Sequence, residues 1–129
     1  MNPKRTVGVL VCVAILALPI ASGVKAILDQ NQHRPFGLAF LAGAALLGAL
    51  NWSLSIRPAL YRRAHGTLDG FKYISGFPAL GTVLVVVGSL LGFGSLACAV
   101  LGLLALVLDK GGIPWFVAAT WRDDSFWGR

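Results

Sequence analysis

Apolar positions fall along this chain in long runs separated by short polar connections. The first run covers residues 6–28, follows Lys4 and Arg5, and carries no charge from Val7 through Val24. About 20 residues at 1.5 Å rise cross a hydrocarbon core, so the run is long enough to span a membrane. A basic start, an apolar stretch and Ala21-Ser22-Gly23 are also the pattern of a cleavable signal peptide, with Pro19 near the cut. If the helix is retained, Pro19 is a kink that neighbouring helices must satisfy.

Residues 29–35 (DQNQHRP) make a short polar connection to a second run over residues 36–56. Two helices joined this tightly are antiparallel neighbours. Trp52 stands near the end of the run, where Trp commonly marks the head-group level, and Asn51 is the lone amide within the spans. Residues 57–77 form the longest polar segment, with Arg57, Arg62, Arg63 and Lys72 set against Asp69 alone. Gly66, Gly70 and Gly76 weaken a continuous helix there, so the expectation is a short interfacial helix around residues 59–64 and then a loop.

No charge occurs from Phe77 to Leu108, a stretch too long for one comfortable crossing. A break at residues 92–95 (GFGS) predicts spans at about 78–92 and 95–108, with one long tilted helix as the alternative. Residues 109–114 (DKGGIP) end the fourth span, and residues 113–121 read as a short interfacial segment. Trp115, Phe116, Trp121 and Trp127 are its expected amphipathic anchors. The predicted fold is all-α, an antiparallel four-helix transmembrane bundle forming one domain with short interfacial segments.

Composition agrees. Hydrophobic residues are 57% of the 129, charged residues only 12%, and the mean hydropathy is +0.77. Soluble domains carry about a quarter charged residues, so most of this surface must face lipid or other helices. The formal net charge of +6 would suggest a nucleic-acid partner in a soluble protein. Here the basic residues lie between apolar runs, where they set orientation and meet anionic membrane lipids, and a nucleic-acid partner is rejected. Four spans put Lys4, Arg5, Arg57, Arg62, Arg63, Lys72, Lys110, Arg122 and Arg129 on one side, against Lys25 and Arg34 on the other. This asymmetry places both termini and the central basic loop in the cytoplasm.

The candidate chemistry is sparse. No ionisable group stands at the centre of a predicted span, which counts against a proton-coupled transporter and an intramembrane protease. His33 and His65 fall in loops on opposite sides and cannot share a metal; no metal or other cofactor is expected. Cys12 and Cys98 read as buried small hydrophobes. Arg62, Arg63, His65 and Lys72 either fix topology or bind a phosphate, lipid head group or acidic partner. Asp109 and Lys110 before Gly111 and Gly112 are either a helix stop or a shaped loop presenting Asp109 and Trp115 to a partner. The pairs Gly88/Gly92, Ala39/Gly43, Ala44/Gly48 and Ser95/Ala99 have the small-xxx-small spacing of close helix packing, with self-association into a homo-oligomer as the alternative use.

Residues 61–66 (YRRAHG) through 75–78 (SGFP), together with LDKGGIPWF and TWRDDSFW, resemble short uncharacterised membrane proteins of bacteria. Some small proteins of that kind accompany polymorphic toxins as immunity partners. The resemblance covers roughly the second half of the chain, carries no catalytic motif, and implies a bacterial inner membrane. Three functions stay open: a non-enzymatic partner-binding protein, including an immunity protein; a small oligomeric channel or transporter subunit; and a lipid-head-group-binding or lipid-modifying protein.

Overall fold

The computed structural model describes residues 3–127, and no strand occurs among them. Six helices follow one another: α1 (Pro3–Leu28), α2 (Pro35–His65), α3 (Leu80–Leu91), α4 (Leu96–Leu108), α5 (Ile113–Thr120) and α6 (Asp124–Trp127). Three stretches, Pro3–Leu28, Pro35–His65 and Leu96–Thr120, are long and apolar enough to cross a membrane. The third is α4 and α5 joined across a break at residues 109–112. Leu80–Leu91 is apolar but shorter.

α2 packs on both α3 and α4, while α1 lies against α4, α3 and α5. Lipid is as apolar as leucine, so such helices associate through close backbone approach and polar contacts rather than by escaping water. Glycine supplies the approach. A Cβ on Gly37 would stand 2.4 Å from Cα of Gly92, and one on Gly88 would stand 2.7 Å from Cγ of Leu41. Gly48 meets Leu108 at 3.1 Å in the same sense, and Gly102 meets Pro19 at 3.3 Å. Most of the small-residue spacing in the sequence is therefore used inside the chain. Leu41, Ala44, Val85 and Ala105 are sealed at the centre, whereas Leu10, Ile27, Leu46 and Val107 are each more than half exposed. That outer apolar face suits lipid.

At one end the α3–α4 turn locks onto the α1–α2 connection. Gln32 N–H donates to Gly94 O at 3.1 Å, Leu96 N–H to Asn31 Oδ1 at 3.0 Å, and Gly94 N–H to Ser22 Oγ at 3.1 Å. α1 runs unbroken through Pro19, which is buried.

Several expectations change. The second span and the interfacial helix at 59–64 are one continuous helix, because only Pro58 interrupts residues 57–65 and the glycines that end it begin at Gly66. Gly66 adopts φ 75° and returns its N–H to Arg62 O at 2.8 Å, a left-handed helix stop. α1 and α2, expected as packed neighbours from their short connection, meet chiefly through α3 and α4, against which both of them pack, and the segment at 113–121 contains α5, packed against α1. Trp127 is no surface anchor: it is 6% exposed, lies against Gly8, and donates its Nε1–H to Thr120 O at 2.7 Å. Arg129 lies outside the described residues.

Candidate functional site

The break between α4 and α5 is organised around a carboxylate. Asp109 caps α4 and is 1% exposed, so the expected exposed charge at a helix boundary is instead turned into the bundle. The Gly-Gly pair allows close approach at the break, where a Cβ on Gly111 would stand 3.0 Å from Asn51 Nδ2, and Gly112 N–H returns to Asp109 O at 2.8 Å. Asn51 of α2 supplies the donor that makes the burial tolerable: its Nδ2–H bonds Asp109 Oδ1 at 2.7 Å. The same amide accepts Phe77 N–H at 3.0 Å and donates to Phe77 O at 3.3 Å. One side chain thus ties α2, the segment leading into α3, and the end of α4.

Further bonds close the node. Ala79 N–H donates to Gly111 O at 3.0 Å, and Ile113 N–H to Thr82 Oγ1 at 3.0 Å. Trp115 gives its Nε1–H to Leu106 O and Val107 O, each at 3.2 Å, satisfying carbonyls that the end of α4 leaves free. Asp109 Oδ2 is buried without a hydrogen-bond partner. It faces Gly81 and Gly112, where a Cβ would approach it to 2.3 Å and 2.7 Å. Asn51 lies about 9 Å along α2 from Arg57, the first charge after the apolar run. A cleft of about 280 Å³ reaches Asn51 from that side, with Ser55, Tyr73 and Lys110 on its walls.

The basic residues form a separate arm. α2 outlasts its apolar run and carries exposed Arg57, Arg62, Arg63 and His65. Aromatic contacts brace the loop that follows: Tyr61 stacks on His65 with centroids 4.1 Å apart, Phe71 lies 5.1 Å from Tyr61, and Tyr73 meets Phe71 edge-on at 4.9 Å. Tyr61 also donates its hydroxyl to Asp69 O at 3.1 Å. Lys72 is exposed on this loop. Arg57, Arg62, Arg63 and Lys72 form no ion pair among the described residues.

The structure therefore divides the seven candidate residues in two. Arg62, Arg63, His65 and Lys72 share the arm, while Asp109, Lys110 and Trp115 belong to the node. Lys110 joins the node to α2 by lying over the Trp52 ring, 4.1 Å from its centroid, and over Trp115 at 6.0 Å. Asn51, Thr82 and Gly81 were given no role by sequence reasoning. Only Asn51 carried a signal, as the lone amide in the spans. His33 and His65 stand before and at the end of the 31-residue α2, which separates them. Both cysteines are free, and Cys98 donates its thiol to Arg34 O at 3.8 Å.

No protein-family model, curated protein or solved structure matches this chain.

Proposed function

We propose that the protein is a non-enzymatic, multi-pass component of a bacterial inner membrane that holds an acidic protein partner through its basic arm. In this reading α1, α2, α3 and α4 are four antiparallel crossings, and the arm, the termini and the α5–α6 segment lie in the cytoplasm. Protection against a toxin is the specific form that the resemblance of the second half suggests.

The observation that carries the reading is the arm itself: four exposed cations without ion pairs, held on a helix end and an aromatic-braced loop. Charges already held in place lose less freedom on binding than charges on a floppy loop, and complementary potentials speed and orient encounter. The close-packing glycines are spent inside the chain, which argues against self-association through them.

Photo-crosslinking from Ala64 in living cells tests the proposal. A discrete protein adduct is expected with the parent chain, and it should vanish in Arg62→Glu/Arg63→Glu at unchanged membrane level. Adducts with lipid alone would instead assign the arm to head groups and overturn partner binding.

A second reading, a small channel or transporter subunit, is favoured by one specific observation. Asp109 is a buried carboxylate in the break of the third long apolar stretch, and broken helices around such groups are a recurrent design of solute and ion pathways. Solute flux in vesicles that is lost in Asp109→Asn would support it.

A further inference from the structure

We infer that the node at the α4–α5 break binds one monovalent alkali cation, with Asp109 Oδ2 as its anionic ligand. The inference does not depend on the arm or its partner. It begins from the unpartnered oxygen: Asp109 is 1% exposed, its Oδ1 is held by Asn51, and its Oδ2 has no hydrogen-bond partner. A buried carboxylate oxygen left bare is costly, so a group that satisfies it has strong reason to be there.

The surroundings say what kind of group. Three oxygens gather on the face of Gly112: where its Cβ would stand, Asp109 Oδ2 and Thr82 Oγ1 are each 2.7 Å away and the Asp109 carbonyl oxygen is 3.0 Å away. Glycine at 112 is what lets these oxygens crowd together, since a Cβ would press on each of them. Thr82 Oγ1 and Asp109 O each accept one backbone N–H, from Ile113 and Gly112, and each keeps a lone pair for a second contact. Oxygen donors select hard cations. Charge decides the valence, because one carboxylate with neutral oxygens balances a single positive charge. Asp109 is the one carboxylate among the side chains bonded in the node, beside Asn51 and Thr82, which are neutral. Lys110 does not serve, since its ammonium group lies over Trp52 and makes no ion pair with Asp109.

The competing arrangement is that the positive amino ends of α3 and α5, which flank Asp109, hold its charge unaided. Thermal unfolding of the full chain in detergent separates the two. Melting curves in NaCl, KCl and LiCl are compared with choline chloride at equal ionic strength, and labelled Na+ binding is measured in parallel. The expected result is a saturable rise in Tm of several degrees with at least one alkali cation, absent in Asp109→Asn and reduced in Thr82→Val. Gly112→Ala, whose Cβ would press on Asp109 Oδ2 and Thr82 Oγ1 at 2.7 Å, should lose the cation response. It serves as the second probe if Asp109→Asn does not fold. Equal Tm in all four salts with no saturable Na+ binding would overturn the inference and leave Asp109 held by the helix ends.

Discussion

At the scale of single residues, Asn51 is the pivot of the molecule. Asn51 is 3% exposed, and its amide makes three hydrogen bonds, to Phe77 backbone atoms and to Asp109, which lie 26 and 58 residues away in sequence. Truncation strands those partners, and each buried polar group left bare costs about 1–3 kcal/mol. Asn51→Ala should therefore lower unfolding stability in detergent by a few multiples of that cost. Ser53→Ala, two residues on, removes only an exposed hydroxyl bonded to Leu50 O at 2.8 Å and should stay within about 0.5 kcal/mol of the parent. Equal losses at the two positions would refute the pivotal role of Asn51. The sequence marks Asn51 as unusual because an amide in an apolar run needs a partner. It does not name the partner, since nothing local in DKGGIP says whether Asp109 turns toward solvent or inward. The absence of an ionisable group from the predicted spans followed from ending the fourth span at Leu108, one residue short of the carboxylate.

At the scale of elements, the helices are legible from their apolar runs, and their seams are legible only in part. Small residues at spacing four announce close packing, but which backbone they meet depends on tertiary placement. Gly37, outside every such pair singled out, makes the tightest approach to α3. Gly37→Ala should wedge α2 from Gly92 and cost about 1–3 kcal/mol or more by overpacking. Gly43→Ala meets nothing closer than Leu84 Cδ1 at 3.9 Å and should be neutral or stabilising by up to about 1 kcal/mol through helix propensity. Detergent unfolding of the pair checks this, and a neutral Gly37→Ala would contradict the packing described. The last helix offers a pH test. Asp123 is held below its usual carboxylate range by the Ser125 hydroxyl first, then by the Ser125 and Phe126 N–H groups. A depressed acid stabilises the folded form above its unfolded pKa and loses that contribution as pH falls through its folded value. Amide protection at Ser125 and Phe126 should thus persist at neutral pH and fade below about pH 4. In Asp123→Ala it should already be lost at neutral pH, and protection unaffected by either change would dismiss the cap.

At the scale of the whole molecule, most of the basic residues, the α2 extension and the α5–α6 segment gather toward one end, with the two hairpin connections, Lys25 and Arg34 at the other. Arg5 joins Asp124 in an ion pair and lies over Trp121, drawing the start of α1 to the last helix. Ser22 and Gly23 are built into the hairpin end, where Ser22 Oγ accepts Gly94 N–H and a Cβ on Gly23 would meet Ala99 at 3.2 Å. α1 should accordingly be retained, and intact mass of the purified protein should include it; a mature chain beginning near Val24 would favour the signal-peptide alternative. Topology decides the rest, because three long apolar stretches and one short helix admit either three crossings or four. Reporter fusions at Gln32, at Gly66 and at the C-terminus test this directly. Four crossings with the arm in the cytoplasm require Gly66 and the C-terminus to report the cytoplasm and Gln32 the opposite side. A C-terminal reporter on the side opposite Gly66 would contradict that arrangement.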